Sequence, residues 1–416
     1  MKEYWHSVIL EEDFCNGCTY CLDRCPTQAI RVKNGKARII AERCIDCGEC
    51  LKVCPYHAKG ALTDSLSMLS EYKYNIALPA ISMYGQYDKK YDINKIFNGF
   101  YNLGFDYVFD VAYAADIISK YQLNKIKSKT VNGPIISTFC PAITRLIQIR
   151  YPSLIDNICK VESPMEVAAR IARKKVKEET KLTDDEIGVF YITQCPAKIT
   201  SIKNPIGIEK SNISGAISIE SVFTKLLRIY DDIEVKSQIR ESSGTGIEWA
   251  MVGGQSYAMG IDNYLAVDGI EEVIKVLDKI EMGKLKDVDF LEGYACVTGC
   301  SGGPLNVENP FIAKSRIRKI SNKLLENRSS NANIENYDEN ILEWNKEIKP
   351  IPVLKLDNDF KKAIVKMGKI EEIYRILPGI DCGACGSPTC RALAEDIVLG
   401  RSKLSECVVL KRKEKK

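Results

Sequence analysis

The sequence predicts an α/β fold, with largely parallel sheets in a large central domain and a small cysteine-rich domain on each side of it. Apolar segments of strand length alternate with amphipathic helical segments between residues 70 and 345. Twelve of the seventeen cysteines form closely spaced groups near the two ends of the chain. The segment Lys346–Pro352 is polar, contains proline and is interpreted as a linker. We therefore expect domains at residues 1–65, 70–345 and 353–416.

The composition is typical of a globular protein. The 416 residues are 45% hydrophobic and 27% charged, with a net charge of only +4, and the basic run Lys411–Lys416 is interpreted as a solvated tail. No nucleic-acid partner is therefore expected. The N-terminus lacks the pattern of a signal peptide, and no apolar run approaches the roughly 20 residues of a membrane span. Cysteines in metal-ligand spacings then indicate reduced thiols and a cytoplasmic location.

The first domain contains a duplicated cysteine motif, Cys-x2-Cys-x2-Cys-x3-Cys-Pro. The first copy contains Cys15, Cys18, Cys21 and Cys25, and the second contains Cys44, Cys47, Cys50 and Cys54. This is the bacterial ferredoxin pattern, in which three cysteines bind one [4Fe-4S] cluster and the fourth reaches the other cluster. The first cluster is expected on Cys15, Cys18, Cys21 and Cys54, and the second on Cys44, Cys47, Cys50 and Cys25. Two adjacent clusters form an electron relay.

Two further features accompany this duplication. The segments around Asn34-Gly35 predict a hairpin between the two copies of the motif. Zinc is the alternative metal, although zinc modules rarely show a crossed, proline-terminated repeat.

The central domain contains the alternating pattern. Strands are predicted at Asn75–Ile81, Tyr107–Val111, Pro134–Phe139, Ile187–Thr193 and Asp287–Ala295. Helices are predicted at Ile93–Leu103, Pro141–Arg150, Pro164–Lys177, Ile219–Tyr230, Ile270–Ile280 and Ile312–Leu325.

Three of these strands lead directly into cysteine. Two are followed by Cys140-Pro and Cys195-Pro, and the third leads to Cys296 and, within a glycine-rich turn, to Cys300. Ligands bind at the carboxyl ends of strands in open α/β sheets. The four thiolates are therefore expected to converge on one iron–sulfur cluster, the alternative being unrelated buried cysteines.

The ordered set of loops resembles the catalytic domain of [FeFe]-hydrogenases. The family's Thr-Ser-Cys-Cys-Pro, Pro-Cys-x-x-Lys and Cys-x3-Cys-x-x-Gly-Gly loops are similar to Ser137–Pro141, Gln194–Lys198 and Cys296–Gly303, and Val108–Ile117 is also similar. The resemblance implies an H-cluster, in which Cys140, Cys195, Cys296 and Cys300 hold a [4Fe-4S] cubane. Cys300 would bridge to a di-iron subsite that carries CO, cyanide and an azadithiolate.

Four positions near the implied site bear on its activity. Lys198 matches the family lysine that interacts with a cyanide, the alternative being a surface lysine. Phe139 stands where catalytic members have a proton-relay cysteine, and a phenyl ring cannot exchange protons. Thr193 and Tyr294 replace methionines that pack on the di-iron unit. The stretch Ala115–Lys125 also lacks the relay acids that family members carry after the position of Asp116.

The last domain contains a third cysteine group, Cys382-x2-Cys385-x4-Cys390-x16-Cys407, with a helix predicted at Arg391–Leu399. It resembles the small Fe–S domain of corrinoid iron–sulfur proteins and of some membrane electron-transfer complexes. A further [4Fe-4S] cluster is expected there, with zinc as the alternative.

Cys159 is the one thiol that none of these groups contains. It is interpreted as a buried apolar residue or as a substitute proton-relay group.

These features predict a low-activity, hydrogen-sensing [FeFe]-hydrogenase that interconverts H2 with protons and electrons. Electrons would pass through the [4Fe-4S] clusters to a ferredoxin or a signalling protein, and a homo-oligomer is left open. A fast metabolic hydrogenase with another proton route, through Cys159, is one alternative. The other is a non-enzymatic Fe–S electron-transfer or assembly protein of the same fold that lacks the di-iron subsite.

Overall fold

The computed structural model describes residues 5–128, 131–326, 339–353 and 356–414. The chain forms two compact units, one made of residues 1–61 and 350–416 and the other of residues 62–349. The first and third expected domains therefore lie in the same unit, which we call the terminal unit. No helix among the described residues combines the length and apolar character that a membrane span requires.

The N-terminal part of the terminal unit is built from short elements: β1 (Val8–Leu10), α1 (Tyr20–Asp23), β2 (Ile30–Lys33), β3 (Lys36–Ile39), α2 (Glu49–Lys52) and β4 (Lys59–Ala61). The outer strands β1 and β4 pair antiparallel, and β2 and β3 form the predicted hairpin. Its two turn residues, Asn34 and Gly35, have φ values of 54° and 73°, which gives the left-handed turn that fits hairpin twist.

The C-terminal part of the terminal unit is helical. Its helices are α13 (Phe360–Ile376), α14 (Cys390–Val398) and α15 (Val408–Glu414). Leu377 and Leu393 share a small buried core with Cys390 and Cys407, so two predicted ligands belong to the packing of this part. Helix α14 confirms the predicted helix, and α13 and α15 were not predicted.

The central unit contains two parallel sheets. The four-stranded sheet has the order β6 (Tyr107–Val108), β5 (Tyr74–Pro79), β8 (Ile187–Thr193) and β9 (Gly215–Ser218). The three-stranded sheet has the order β10 (Tyr264–Asp268), β11 (Phe290–Tyr294) and β7 (Ile135–Ile136). Every pairing within both sheets is parallel, as predicted, so the carboxyl ends of each sheet's strands lie at one edge.

Helices connect and cover these strands: α3 (Ile93–Asn102), α4 (Val111–Lys127), α5 (Pro141–Arg150), α6 (Pro164–Thr180), α7 (Pro196–Lys203), α8 (Ile219–Arg228), α9 (Gly244–Glu248), α10 (Gly254–Met259), α11 (Ile270–Glu281) and α12 (Pro310–Glu326). The six predicted helices of this domain are all confirmed, with small differences at their ends. The predicted strand at Tyr107–Val111 was too long, because Asp110 caps α4 by accepting a hydrogen bond from Ala112 N–H. Helices α4, α7, α9 and α10 and strands β9 and β10 were not predicted.

Candidate metal centre

Three strand ends deliver four cysteines to one region of the central unit. Cys140 follows β7 and is the N-cap residue of α5, and Cys195 follows β8 and is the N-cap residue of α7. In both cases proline occupies the first helical position, where its fixed φ favours the helix and its missing N–H costs nothing. Cys296 and Cys300 follow β11. At each of the two Cys-Pro sequences, a helix therefore begins directly after the cysteine that follows the strand.

The turn between Cys296 and Cys300 needs glycine for close backbone approach. Thr298 and Gly299 have φ values of 69° and 83°, in the left-handed region. A Cβ at Gly302 would lie 2.0 Å from Val297 O, and a Cβ at Gly303 would lie 2.6 Å from Gln194 Cγ. Glycine therefore lets this turn pack against the residue that precedes Cys195.

The four thiols lie close enough to influence one another. Burial raises the pKa of Cys195, and the charges of Cys296 and Cys140 raise it further. Burial also raises the pKa of Cys300. The charge of Lys198 lowers this pKa, and that of Cys296 raises it. The structure therefore brings the four predicted ligands together, and bound iron would supply the positive charge that keeps buried thiolates ionised.

Backbone contacts fix the position of Cys140 within this group. Burial raises the pKa of Cys140, and the backbone N–H groups of Ala295 and Ile143 lower it by hydrogen bonding to the thiol. Ala295 directly precedes Cys296, so the loop after β7 and the turn after β11 meet at this sulfur. Such N–H donors are typical of cysteine sulfur in iron–sulfur sites.

Lys198 is a buried cation beside these thiols. It is only 2% exposed, so the alternative of a surface lysine is wrong. Its Nζ donates to Tyr191 Oη at 3.4 Å and lies 4.2 Å from the centre of the Phe139 ring. Burial alone would lower the pKa of Lys198, but Tyr191 and the thiols of Cys300 and Cys195 raise it above its ordinary value. Among the described residues, no carboxylate forms an ion pair with this ammonium group.

An unpaired polar atom lies in the same region. Gln194 Oε1 is buried and has no hydrogen-bond partner within the described ranges, while the other side of its amide lowers the pKa of Cys300 by hydrogen bonding to it. Buried polar atoms are normally paired. Converging thiols and an ammonium group without a carboxylate partner fit a bound anionic metal cluster better than an apolar core.

Phe139 forms an aromatic wall at this centre. It is 4% exposed, and its ring meets Trp249 edge-on at 5.3 Å and Tyr294 edge-on at 6.0 Å between ring centres. Trp249 Nε1 donates to Ser119 Oγ at 2.9 Å, which fixes the indole. The position at which the resemblance implies a relay cysteine is therefore filled by packed rings.

Glu292, which the sequence reasoning missed, lies behind this wall on β11. The carboxylate is fully buried and accepts hydrogen bonds from the backbone N–H groups of Gly253, Gln255 and Ser256, from Ser256 Oγ and from Tyr294 Oη. Burial raises its pKa, and the bonds from Ser256 and Tyr294 lower it. The signal was a glutamate at the centre of a buried apolar strand, where an unpaired charge would be costly.

A polar chain connects this carboxylate to the loop that carries Cys140. Gln255 Nε2 donates to Tyr294 Oη at 2.9 Å, and Ser137 Oγ donates to Gln255 Oε1 at 2.6 Å. Phe139 N–H in turn donates to Ser137 Oγ at 3.2 Å. Tyr294 therefore serves this network, which accounts for a tyrosine at a position expected to hold methionine. Thr193, the other such position, is buried at the end of β8, where its Oγ1 accepts from Cys195 N–H at 3.1 Å.

The segment that resembles the family between Val108 and Ile117 has a structural role for both of its acids. Asp110 accepts from Tyr84 Oη and Ser242 N–H, and Asp116 accepts from Ser243 N–H at 2.7 Å. These bonds anchor the loop before α9 to α4. Farther along α4, the hydroxyl of Tyr121 hydrogen-bonds to Glu343, a carboxylate from a distant part of the chain.

Cys159 is buried next to β7 and α4. Its N–H donates to Ile136 O at 2.8 Å, and burial raises the pKa of its thiol to about 11 while a hydrogen bond with Gln122 lowers it. This placement suits both earlier interpretations, a packed thiol and a polar group near the loop of Cys140.

A small cavity borders the centre and is lined by Lys198, Pro141, Thr138 and Glu162, among others. Glu162 accepts from Ser163 N–H at 2.8 Å and lies 3.3 Å from Arg170 Nη2. Burial and the nearby Glu166 carboxylate raise the pKa of Glu162 to about 7, although a hydrogen bond from Ser163 and the charge of Arg170 lower it. Glu162 is therefore a titratable carboxyl group that shares a cavity with Lys198.

This raised pKa predicts a pH-dependent effect of Glu162→Gln. The folded chain holds the Glu162 proton up to about pH 7, whereas an unfolded carboxyl group releases it near its ordinary pKa of 4.5. Glu162 therefore destabilises the fold increasingly as pH rises between these values, by up to ~3 kcal/mol. We expect the melting temperature of Glu162→Gln, relative to the unmodified chain, to rise from pH 5 to pH 8. Glu272→Gln, at an exposed pair with Lys275, is the control and should show no such trend.

The ferredoxin-like repeat also groups its cysteines as predicted. Burial raises the pKa of Cys21 to about 11, and among its neighbours Cys18, Cys54 and Cys15 raise it too. Burial also raises the pKa of Cys47, and the charges of Cys25 and Cys50 add to this increase. The pKa of Cys44 is raised by burial too, with contributions from Cys50 and Cys47. A cavity is lined by the members of this second set, Cys25, Cys44, Cys47 and Cys50. The crossed pattern of three cysteines from one copy and one from the other is thus present in the fold.

The C-terminal cysteines form a third group. Cys385, Cys390 and Cys407 share one core cluster, and Cys385 and Cys407 are close enough to interact electrostatically. Cys382 lies three residues from Cys385 and is exposed. All seventeen cysteines are described, and none of them forms a disulfide.

The comparison with protein families identifies the class of this chain. Residues 74–224 and 215–304 match the family described as iron only hydrogenase large subunit, C-terminal domain, and together these matches cover more than half of the chain. Residues 7–55 match a 4Fe-4S dicluster domain, and residues 377–409 match an Fe-S cluster family. The chain therefore belongs to the iron-only hydrogenase large-subunit family, with an iron–sulfur module at each end.

Individual relatives are distant. Iron hydrogenase 1 of Clostridium pasteurianum is 23% identical over 299 residues, which are 59% of this chain and 51% of the relative. The NADP-reducing hydrogenase subunit HndD of Solidesulfovibrio fructosivorans is 22% identical over 260 residues, 54% of this chain and 43% of the relative. The chain thus spans about half the length of these curated relatives.

Two further similarities concern the fold and a short stretch of sequence. The [FeFe]-hydrogenase HydA1 from Chlamydomonas reinhardtii superposes with a TM-score of 0.52 at 14% identity, covering 69% of this chain and 98% of that chain. At this identity the likeness shows the fold alone. One component of the ion-translocating oxidoreductase complex of Rhodobacter capsulatus is 50% identical over 38 residues, 9% of this chain and 20% of the relative.

Proposed function

We propose that this chain is a slow, hydrogen-responsive [FeFe]-hydrogenase. Cys140, Cys195, Cys296 and Cys300 would hold a [4Fe-4S] cubane, and Cys300 would also bridge to a di-iron subsite with CO, cyanide and azadithiolate ligands. When bound, this group would supply the metal centre at which H2 is converted reversibly to two protons and two electrons. Family membership supports the hydrogenase chemistry, and the low identity of the relatives leaves the rate to be argued from the residues.

The observation that carries the proposal is the buried ammonium group of Lys198. A buried cation without a carboxylate partner is costly unless another anion neutralises it. Four thiolates of a cubane and a cyanide ligand would provide that negative charge, and the ammonium group would donate hydrogen bonds to the cyanide.

The slow rate follows from Phe139 and its surroundings. General acid–base catalysis contributes about 10²–10⁴-fold, and it requires a titratable group within hydrogen-bond reach. Phe139, Trp249 and Tyr294 pack against one another where such a group would be needed. A chain that binds hydrogen but exchanges protons slowly suits sensing better than bulk turnover.

Electron partners and location are proposed on the same basis. The clusters at both ends of the chain would pass electrons to a ferredoxin or a signalling protein. Seventeen thiols outside any disulfide support a reducing compartment, and we place the protein in the cytoplasm.

A second candidate is a non-enzymatic Fe–S protein of the same fold. The observation that favours it is the aromatic wall itself, because Tyr294 and Phe139 stand where catalytic relatives carry methionine and cysteine. Both rings are bulkier than the side chains that they replace, and neither a phenyl ring nor a buried, hydrogen-bonded phenol supplies the relay of a catalytic site. Electron transfer through the clusters would then be the whole activity.

Infrared spectroscopy of the matured full-length chain, combined with an H2-uptake rate, separates these functions. We expect CO and cyanide bands together with uptake roughly 10²-fold slower than that of a relay-containing hydrogenase. The same bands with fast uptake would instead indicate a metabolic enzyme with another proton route, for which Cys159 is the candidate. Absence of the bands in a chain with an intact cubane would overturn the hydrogenase proposal in favour of the second candidate.

A further inference from the structure

The C-terminal cysteine loop is attached to the hairpin of the ferredoxin-like module within the terminal unit. Val32 N–H, on the outer edge of β2, donates to Gly386 O at 2.8 Å. A Cβ at Gly386 would lie 1.8 Å from Val32 O, so only glycine allows this approach. The loop that follows Cys385 therefore lies directly against the hairpin backbone.

Ion pairs reinforce this contact. Three pairs join the two parts of the unit: Arg31–Asp396, Arg43–Glu395 and Lys33–Glu406. Arg31 Nε lies 2.5 Å from Asp396 Oδ2, with both side chains more than nine-tenths buried. Buried charges are tolerated when they are paired, so these pairs favour one docked arrangement over other positions.

The same loop lies next to the first cysteine set of the ferredoxin-like repeat. A Cβ at Gly383, between Cys382 and Cys385, would lie 3.3 Å from Leu22 Cδ2 and 3.2 Å from Asp23 Oδ1. Leu22 directly follows Cys21 in α1. The C-terminal ligand loop therefore contacts the helix that carries a first-set cysteine.

The hairpin contact leads to the same set. Val32 is the cross-strand partner of Ala37, and Ala37 N–H donates to Cys15 Sγ at 3.4 Å. One strand pair therefore separates Gly386 from Cys15. Two independent contacts, through α1 and through the hairpin, connect the C-terminal loop to the first set.

The start of this loop is exposed to solvent. Cys382 is the one exposed thiol among the seventeen, and the nearby Ile380 side chain is 59% exposed. The C-terminal loop thus contacts the ferredoxin-like module at Gly383 and Gly386 and is accessible to a partner at Cys382.

We propose that the C-terminal cluster is the electron port of this chain and exchanges electrons with the first ferredoxin-like cluster, held by Cys15, Cys18, Cys21 and Cys54. In each transfer a [4Fe-4S] cluster in the 1+ state is oxidised to 2+, and its neighbour is reduced from 2+ to 1+. One electron moves, and no bond or proton changes. This inference rests on the proposed cluster ligation and is independent of hydrogen chemistry.

Electron paramagnetic resonance of the reconstituted, fully reduced full-length chain tests whether the first cluster is the neighbour of the C-terminal cluster. Cys18→Ser removes a ligand of the first cluster, and Cys47→Ser is the matched change in the second. We expect the remaining signals of Cys47→Ser to show spin–spin broadening between the first and C-terminal clusters. Cys18→Ser should give narrow, separate signals. Broadening in Cys18→Ser alone, or in neither variant, would overturn the proposed neighbour.

A second variant leaves every cysteine in place. Glu395→Gln combined with Asp396→Asn removes two carboxylates of the docking contact, while Glu371→Gln disrupts an exposed pair with Arg391 within the C-terminal part. We expect the double variant to lose the broadening and to show faster hydrogen exchange in α14, and the control to keep both properties. Unchanged broadening in a variant whose α14 exchange has accelerated would contradict the proposed path. Neither measurement uses H2 or the di-iron subsite, so a failed hydrogenase proposal would leave this test intact.

Discussion

Lys198→Met is expected to lower the H2-uptake rate of the matured chain by about 10²-fold or more. Methionine has nearly the length of lysine and tolerates an apolar site, so the substitution removes the charge and the hydrogen-bond donors while keeping most of the volume. The buried ammonium group lies within reach of the charges on Cys300 and Cys195. Without it, the negative charge of a cubane and of a cyanide ligand would lose this buried counterion.

Two readouts other than turnover accompany this prediction. The cyanide bands in the infrared spectrum should shift, because a hydrogen-bond donor to that ligand is lost. The reduction potential of the cubane should become more negative, because reduction adds an electron where a positive charge has been removed. Lys203→Met, at the end of the same helix and paired with Asp64 near the surface, is the matched control. Equal spectra and rates in both variants would show that Lys198 does not contact the cluster's ligands.

Phe139→Cys is expected to raise H2 uptake roughly tenfold to a hundredfold. A thiol can donate and accept a proton, and at this position it would lie beside the hydrogen-bonded chain of Ser137, Gln255 and Tyr294. The gain should fall short of a full relay, because the stretch after Asp116 carries no acid through Lys125. Uptake rates of the matured variant, normalised to the intensity of its CO bands, provide the measurement.

Phe139→Ala is the control for the space that the smaller side chain creates. Removing a buried phenyl ring costs about 3–5 kcal/mol, and both substitutions bear a similar penalty because both empty the same aromatic cluster. Alanine supplies no proton, so its rate should stay near that of the unmodified chain. A cysteine variant no faster than the alanine variant would mean that proton transfer at this position does not limit the rate.

The strand-to-cysteine pattern predicted that four thiols of the central unit lie close together, and local sequence accounts for this. Apolar strands that end in Cys-Pro have few other folds available, since proline starts a helix well and cannot continue a central strand. The parallel arrangement of the strands then brings their carboxyl ends, and the four thiols that follow them, close together. The crossed pairing in the ferredoxin-like repeat was predictable for the same reason, because ligand spacing and duplication suffice to define it.

Contacts between distant parts of the sequence were not predictable. Glu292 accepts hydrogen bonds from backbone donors of α10, and the sequence of neither segment indicates that it contacts the other. The pair Arg31–Asp396 joins residues separated by 365 positions, and no alternation or spacing connects them. Helix α4 was missed because its sequence, rich in alanine and β-branched residues, is buried along most of its length and lacks a clear amphipathic period.

The terminal unit is made from both ends of the polypeptide, which has a consequence for biosynthesis. Arg31 and Arg43 leave the ribosome early, but their partners Asp396 and Glu395 follow only after residues 62–349 have been translated. At ~5–20 residues per second, this delay is roughly 15–60 s. During that interval the nascent N-terminal segment lacks the carboxylate partners of its buried arginines. Ribosome stalling before the last helices are made would therefore leave these buried cations unpaired and the early module less stable.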